Sequence, residues 1–291
     1  MDTSFTNSRE SVASATRPEV DWGSLTPEER RRWLELEGYV VLPNMLDQQQ
    51  IQQVSEEVAR LSTTAVDYSE FQRGHPSVHW TDSPVSNSLV ANTEVVEFLQ
   101  SLFGDELVCT DVDYAVSQPG HPGIAIHTDS QPYGSKIFGM QASSPCLVRV
   151  LYYLDELTAE RSPFKVIPRS HLSLHMDAIP YNRYLSHDDE VMVTCAAGSA
   201  VILNQKVFHG NYPNYSDSPR RMLAIAYRPA WAGPIAEVEE HDPAKVAKLS
   251  AEVRPFFGSP NTKRINYEVP NRPDDMGRSA AGISPNRWPP M

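Results

Sequence analysis

The stretch AAGSAVILNQKVFHGNYPNYSDSPRRMLAIAYRP, residues 196–229, carries the pattern on which the fold prediction depends. Two apolar runs flank a segment rich in Pro, Asn and Ser, which is typical of strands joined by a turn. Similar β-rich runs precede it from residue 106 onward, namely LVCTDVDYAVS, CLVRVLYYLDEL and EVMVTCAAGSAVIL. The chain shows no strand–helix alternation, no internal repeat and no Gly-rich phosphate loop. Many short, punctuated strands predict an antiparallel sandwich or barrel over residues 106–232.

Three further regions surround this predicted core. Residues 1–22 are rich in Ser and Thr and predict a mobile tail. Residues 23–105 predict a helical region that packs on the barrel, so that the chain forms one catalytic domain. Residues 233–291 form a C-terminal extension with one helix candidate, DPAKVAKLSAEV, and a Pro- and Asn-rich end. That end is either disordered or a cover over the barrel mouth.

The helical region has clear start and stop signals. Thr26 can cap a helix that has Pro27 at its first position, and Gly38 ends it before the strand YVVLP. A second helix is predicted over about 47–62 from apolar residues at helical spacing, and a third over NTEVVEFLQSLFG. The segment 65–85, which includes Trp80, has no strong periodicity, and we expect a long connection there that shapes a substrate pocket together with residues 233–291.

Composition limits the classes of partner. The chain of 291 residues has 25 Lys+Arg against 37 Asp+Glu, a formal net charge of -12. This balance argues against nucleic acid and gives no support for anionic membranes. Three separated cysteines, Cys109, Cys146 and Cys195, predict reduced thiols in a cytoplasmic protein, and no signal peptide or membrane span is expected.

Three H-x-D patterns are candidates for metal ligands. His187/Asp189 and His175/Asp177 lie in polar segments that predict solvated loops, whereas His127/Asp129 follow the apolar run GIAI. On a strand, residues two apart point to the same face, so this imidazole and carboxylate could meet one ion. The alternative is a strand end that runs into a polar turn.

A third ligand candidate is His209, which follows Val207 and Phe208, and a second strand then begins at Arg220. Taken alone, His209 fits a core histidine, and Arg220 with Arg221 fits a solvated pair at a strand start. Taken together, two histidines and one carboxylate are the facial triad that holds non-haem Fe(II) with other positions open. Arginine offers a planar fork suited to a carboxylate.

Residues 33–230 resemble the phytanoyl-CoA dioxygenase family of Fe(II)- and 2-oxoglutarate-dependent oxygenases. The resemblance rests on GYVVLPNML, on HTD at 127–129, on LYYLDELTAERSPFKVIPRSHL and on AGSAVILNQKVFHGNYPN followed by Arg220. It implies a mostly β fold with flanking helices around a double-stranded β-helix (jelly-roll, cupin-like) core. It further implies His127, Asp129 and His209 as iron ligands, used both for metal binding and for catalysis.

The same resemblance implies the cosubstrates and the reaction. Arg220 matches the arginine that pairs with the distal carboxylate of 2-oxoglutarate, and Asn211 falls near the same cosubstrate. With Fe(II), 2-oxoglutarate and dioxygen, the expected reaction is hydroxylation or desaturation of a C–H bond, yielding succinate and carbon dioxide. Asp129 occupies the position that halide takes in related halogenases, which disfavours halogenation. The substrate is expected to be a small molecule of secondary metabolism.

Two departures from the family pattern stand in the middle segment. SPF and PRSH replace the family's G-P-L and P-G-S-H, so we expect altered loop geometry there. Arg149 and Tyr153 share a strand face that either lines the barrel or points outward. The oligomeric state stays open, a homodimer included. A Zn-dependent hydrolase on the same barrel and a non-catalytic cupin-like binding protein remain as alternative functions.

Overall fold

A computed structural model describes residues 20–129, 147–172, 180–234 and 237–264. In these residues two antiparallel sheets face each other, and a layer of helices covers the outside of the larger sheet. The helices are α1 (Pro27–Glu37), α2 (Gln48–Val58), α3 (Pro84–Ser88), α4 (Thr93–Phe103) and α5 (Pro243–Val246). Short 3-10 helices span Val78–Trp80, Leu89–Ala91, Ser170–Leu172 and Arg254–Phe257.

The strands fall into two sets. The larger sheet contains β1 (Tyr39–Leu42), β2 (Thr64–Val66), β3 (Ser69–His75), β4 (Leu107–Ser117), β6 (Val148–Tyr153), β9 (Ala200–Asn204) and β11 (Arg220–Pro229). The smaller sheet contains β5 (Ile124–His127), β7 (Phe164–Ile167), β8 (Val191–Val193) and β10 (Phe208–Asn211). The strand orders are β1-β9-β6-β11-β4-β3-β2 and β5-β10-β7-β8. This arrangement confirms the mostly β, jelly-roll core.

The first helix starts and ends as its sequence predicts. The Thr26 hydroxyl accepts from the backbone N–H of Glu29 at 3.2 Å, and the Glu29 carboxylate accepts from the N–H of Thr26 at 2.8 Å. This capping box satisfies two backbone donors that the first turn leaves unpaired. Gly38 ends the helix with φ 85°, a left-handed conformation that glycine adopts without a steric penalty.

The larger sheet separates two hydrophobic clusters, because successive side chains on a strand point to opposite faces. The outer cluster lies under the helices and includes Val150 and Tyr152 of β6. The inner cluster lies between the two sheets and includes Leu151 and Tyr153. The part of the C-terminal extension that the structure describes packs on the outer cluster through Leu249, Val253 and Phe257. The side chains on the inner faces of the two sheets therefore line the barrel interior.

Several boundaries differ from the sequence prediction. Residues 65–85, expected as a long connection, contain the hairpin β2–β3, which extends the larger sheet next to β4. The helix expected from DPAKVAKLSAEV forms only over α5, and turns follow it. EVMVTCAAGSAVIL divides into β8 and β9, since Gly198 turns the chain with φ 83°. Trp80, predicted to shape the substrate pocket, packs against the outer cluster, 5.5 Å from the Phe257 ring.

The two departures from the family pattern keep the backbone that glycine favours. Ser162 has φ 47° and Arg169 has φ 66°, both in the left-handed region. The Arg169 guanidinium binds the buried Glu37 carboxylate through Nε at 3.0 Å and Nη2 at 2.6 Å. The Ser162 hydroxyl donates to the Tyr212 carbonyl at 3.0 Å. Side-chain bonds thus hold two non-glycine residues in a conformation that costs them energy.

Among the described residues no helix has both the length and the apolar character needed to cross a bilayer. Cys109 and Cys195 are free thiols, and Cys146 lies outside the described residues. Burial raises the pKa of the Cys195 thiol to about 12, so this group stays protonated near neutral pH.

Two substitutions at Arg169 separate backbone strain from the ion pair. Arg169→Ala and Arg169→Gly both remove the bond to Glu37, but only Ala keeps a Cβ atom at φ 66°. We therefore expect the Gly variant to be more stable than the Ala variant by about 1 kcal/mol, and both to be less stable than the native chain. Urea unfolding of the three proteins measures the difference. A less stable Gly variant would show that the left-handed backbone carries no strain here.

Candidate metal centre

Three predicted ligands converge at one end of the barrel interior. His127 ends β5, Asp129 follows it, and His209 lies on β10 directly opposite His127 in the sheet register. The potential ligand atoms of the three side chains all lie within 4.8 Å of one another. Asp129 Oδ1 is 3.9 Å from His127 Nε2, and Asp129 Oδ2 is 3.7 Å from His209 Nε2. In the part of the chain that the structure describes, this is the only such group of three.

Both histidine rings are oriented by the backbone. Nδ1 of His127 lies 3.0 Å from the Ala125 carbonyl, and Nδ1 of His209 lies 3.0 Å from the Val207 carbonyl. A carbonyl only accepts, so each Nδ1 carries the hydrogen and each Nε2 presents a lone pair. Burial lowers the pKa of His209 to about 4, which keeps its ring neutral and able to bind a metal at pH 7.

Asp129 is held from two sides. Its backbone N–H donates to the Gln205 carbonyl at 2.8 Å, which ties the ligand loop to the end of β9. Arg149 Nε lies 2.9 Å from Asp129 Oδ2, although the two atoms are not aligned for a hydrogen bond. Arg149 therefore faces the interior, like Tyr153 on the same strand, and not the solvent. Its charge attracts the carboxylate while the other oxygen faces His127.

The other H-x-D patterns do not join this group. His187 lies in a loop, where Nε2 sits 3.0 Å from the backbone N and O of Asn182. Asp189 is exposed in the same loop. His175 and Asp177 lie outside the described residues.

Arg220 is completely buried inside the barrel, at the start of β11. Its Nη2 donates to the Ser117 hydroxyl at 2.7 Å, and Ser117 in turn donates to Gln72 Oε1 at 2.5 Å. Nε and Nη1 of Arg220 are buried and have no hydrogen-bond partner among the described residues. Burial lowers the pKa of Arg220, while nearby Tyr153 and Asp155 raise it. An anionic ligand would accept hydrogen bonds from these two unpaired nitrogen atoms.

Ser117 and Gln72 were not found by sequence reasoning. Ser117 is one hundred and three residues before Arg220 and Gln72 is forty-five before Ser117, so only the sheet register brings the three together. The sequence feature that could have indicated Ser117 is its position at the end of a predicted strand. Gln72 lies in the segment predicted as a connection.

Arg221 faces the opposite way from Arg220, as alternation along a strand predicts. Its guanidinium donates to both carboxylate oxygens of Asp155, at 3.0 Å from Nε and 2.8 Å from Nη2. Asp155 also pairs with Arg161 at 3.1 Å. The Arg221 guanidinium is therefore hydrogen-bonded within the protein, whereas Nε and Nη1 of Arg220 have no partner among the described residues.

Asn211 is a buried residue two positions beyond His209 on β10. Its Nδ2 makes long contacts of 3.4 and 3.5 Å to the carbonyls of Ser162 and Pro163. An amide with such weak bonds is available to a ligand in the barrel. The described interior thus contains the predicted metal ligands, a buried amide and a buried cation.

The residues fit the implied metal and cosubstrate. The triad has the donor set of non-haem iron sites, with two neutral imidazoles and one carboxylate on one side of the site. The carboxylate oxygen Asp129 Oδ2 is buried and makes an ion pair with Arg149, without a hydrogen bond among the described residues. The unpaired donors of Arg220 fit the far carboxylate of a dicarboxylic 2-oxo acid.

The family model for phytanoyl-CoA dioxygenase matches residues 34–222. Dioxygenase trt7 of Aspergillus terreus is 25% identical over 218 residues, covering 71% of this chain and 74% of the relative. Dioxygenase andF of Emericella variicolor is 26% identical over 249 residues, covering 79% and 84%. These relatives match most of the chain, and the range matched by the family model includes the positions of the triad and of Arg220.

Solved structures share the fold. The α-ketoglutarate-dependent carbocyclase SnoK from nogalamycin biosynthesis aligns with a TM-score of 0.59 at 20% identity, covering 80% of this chain and 95% of its own. HygX from Streptomyces hygroscopicus, with nickel, 2-oxoglutarate and hygromycin B bound, aligns with a TM-score of 0.58 at 18% identity, covering 74% and 93%. At these identities the likeness concerns the fold alone.

Removal of one ligand should distinguish the predicted metal site from the other H-x-D pattern, at His187 and Asp189. We expect His209→Ala to weaken Fe(II) binding by at least about 100-fold, since even residues around metal ligands contribute 10- to 100-fold. His187→Ala should leave binding unchanged, because the His187 side chain contacts the Asn182 backbone and the Tyr181 ring and is not part of the group of three ligands. Anaerobic titration with Fe(II), followed by calorimetry, measures both. Equal losses at the two positions would show that the wrong histidine was assigned.

Proposed function

The chain belongs to the phytanoyl-CoA dioxygenase family of Fe(II)- and 2-oxoglutarate-dependent oxygenases, and we propose that it hydroxylates or desaturates a C–H bond of a small molecule in secondary metabolism. The protein is thus a 2-oxoglutarate-dependent non-haem iron dioxygenase that uses dioxygen. The substrate, the outcome at the C–H bond and the roles of individual residues belong to the proposal.

One observation supports the assignment of residues most strongly. A group of two histidines and one carboxylate shares the barrel interior with a buried arginine that has two unpaired donors. A metal-dependent hydrolase would need the triad but would have no use for this arginine. Arg220 therefore favours a site for a second, dianionic cosubstrate.

The residues have distinct roles in the proposed reaction. His127, Asp129 and His209 bind Fe(II), and Arg220, oriented by Ser117, binds the distal carboxylate of 2-oxoglutarate, with Asn211 beside it. When bound, iron and 2-oxoglutarate supply the oxidation of an unactivated C–H bond by dioxygen, with succinate and carbon dioxide as products. The inner cluster excludes water around these polar groups, which strengthens their electrostatic interactions.

The substrate class is inferred from the relatives and from the metal end of the barrel. SnoN has been solved with nogalamycin RO and HygX with hygromycin B, both elaborate natural products. On the larger sheet, Asp111 and Arg149 flank Ala226 in register, next to Asp129. Burial raises the pKa of Asp111, and Asp113 raises it further. The small Ala226 side chain suits a bulky substrate. The charged side chains of Asp111 and Arg149 beside it suit a substrate that carries polar groups.

Succinate formation tests the proposed function. The native chain, supplied with Fe(II), 2-oxoglutarate and oxygen, should release succinate, and His209→Ala should not. Zinc-loaded protein should form none, because the zinc ion does not change its oxidation state. Absence of succinate with iron, together with hydrolysis by the zinc form, would overturn the proposal in favour of a hydrolase.

Neighbouring arginines provide a matched pair for the cosubstrate site. We expect Arg220→Ala to raise the apparent KM for 2-oxoglutarate about 30-fold or more, because a charge-assisted pair in a closed site is lost. Arg221→Ala should leave this KM near the native value and lower thermal stability, since Asp155 loses one of its two partners. Steady-state succinate assays measure the KM. A larger effect at Arg221 would contradict the observed strand register.

A further inference from the structure

Asp111 is a carboxylate on the inner face of the larger sheet. On the same strand, β4, Val112 and Val116 belong to the outer cluster, whereas Ser117 contacts Arg220 in the interior. Because side chains alternate along a strand, Asp111 lies on the same face as Ser117. The Asp111 side chain is half-buried, and its carboxylate has neither a hydrogen bond nor an ion pair among the described residues.

The sheet register places this carboxylate near the predicted metal ligands. Ala226 on β11 pairs with Asp111 on one side and with Arg149 on the other. Neighbouring strands lie about 4.8 Å apart, so the backbones of Asp111 and Arg149 lie about 10 Å apart across the small Ala226 side chain. Arg149 Nε is 2.9 Å from Asp129 Oδ2. Asp111 therefore faces the pair of Arg149 and Asp129 from the other side of Ala226.

The neighbouring charges leave Asp111 without a partner of its own. Arg149, the cation across the sheet from it, makes its ion pair with Asp129. Asp113, the next inward position on β4, accepts from the backbone N–H of Ser77 at 3.0 Å. Burial and the charge of Asp113 raise the pKa of Asp111, and the opposing effect of Arg149 is smaller. The surroundings thus disfavour a bare carboxylate, which a hydrogen-bond donor from outside the chain would stabilise.

On these grounds, and resting on the proposed function, we propose that Asp111 determines substrate specificity by accepting a hydrogen bond from a hydroxyl or ammonium group of the substrate. The small Ala226 side chain leaves room for the body of the substrate beside this contact. An ionised carboxylate only accepts, and its bond to a donor is charge-assisted. Asp111 thereby selects substrates with a donor at this point and repels those that carry an anionic group there.

Three bulky probes with the same hydrocarbon cage test this preference. 1-Adamantanamine carries an ammonium group, 1-adamantanol a hydroxyl group and adamantane-1-carboxylate an anionic group. The native protein, loaded with Fe(II) and 2-oxoglutarate in the absence of oxygen, should bind the two donor probes at least about 10-fold more tightly than the carboxylate probe. Calorimetric titration with each probe measures the Kd.

Two substitutions at Asp111 separate its charge from its acceptor. Asparagine keeps a carbonyl oxygen that accepts, so Asp111→Asn should raise the Kd of the amine about 10-fold and that of the alcohol by less than about 3-fold. Alanine removes the acceptor, so Asp111→Ala should weaken the binding of both donor probes. Tighter native binding of the amine than of the alcohol would identify the donor as an ammonium group, and the reverse order would identify it as a hydroxyl group.

Asp105→Asn is the matched control, since it makes the same change in charge at an exposed position just before β4. It should bind all three probes like the native protein. Asp111→Asn should unfold at the native temperature or above it, because the carboxylate gives up no hydrogen bond among the described residues and its surroundings disfavour the charge. A loss of amine binding by Asp111→Asn then reports on the contact with the probe and not on the fold.

The outcomes distinguish this inference from the proposed function. Binding of the carboxylate probe as tightly as the donor probes, or no binding of either donor probe, would overturn the role of Asp111 and leave the proposed function intact. Native-like binding of both donor probes by Asp111→Ala would overturn it too, as would equal losses in Asp105→Asn and Asp111→Asn. If the native protein failed to bind 2-oxoglutarate before any probe was added, the proposed function itself would be wrong.

Discussion

The burial of one positive charge governs the interior of this protein. Arg220 is fully enclosed, and within the described chain no carboxylate is in ion-pair contact with it. Transfer of an unpaired ion from water into a protein interior is costly, and the cost is offset only by strong local bonds or by a counterion. The Ser117 hydroxyl supplies one bond, and the rest of the guanidinium faces the barrel. Within the described residues, the fold thus buries a cation whose remaining donors are free for the anion that we propose to bind there.

That arrangement depends on the strict alternation of the larger sheet. The same strands that bury Val150 and Tyr152 against the helices turn Arg149, Leu151 and Tyr153 toward the interior. The outer cluster, thickened by the helical region and the described part of the C-terminal extension, supplies most of the apolar burial. The interior can then carry charges and unpaired donors without loss of the fold. On the larger sheet, the apolar side chains under the helices and the charged side chains of the interior therefore lie on opposite faces.

Much of this could be predicted from local patterns. The short β-rich runs separated by turn residues over 106–232 predicted antiparallel sheets, and the apolar run before His127 distinguished one H-x-D pattern from two others. Pairs set by register over long distances could not be predicted, as Gln72, Ser117 and Arg220 show. Trp80 was misplaced because aromatic content does not reveal which side of a sheet a residue covers. The replaced glycines were expected to alter loops, yet Arg169 keeps the left-handed backbone through its bond to Glu37.

The orientation of the two histidine rings has a consequence for the choice of metal. Backbone carbonyls contact both Nδ1 atoms, and Gln205 and Arg149 contact Asp129, so each predicted ligand is oriented by the chain itself. A site of nitrogen and oxygen ligands follows the general affinity order of divalent metals, in which nickel, copper and zinc bind more tightly than ferrous iron. If these residues hold the metal as proposed, affinity alone does not select iron. We then expect iron occupancy to depend on coordination geometry and on which metals the cell keeps available, and excess zinc to inhibit the enzyme.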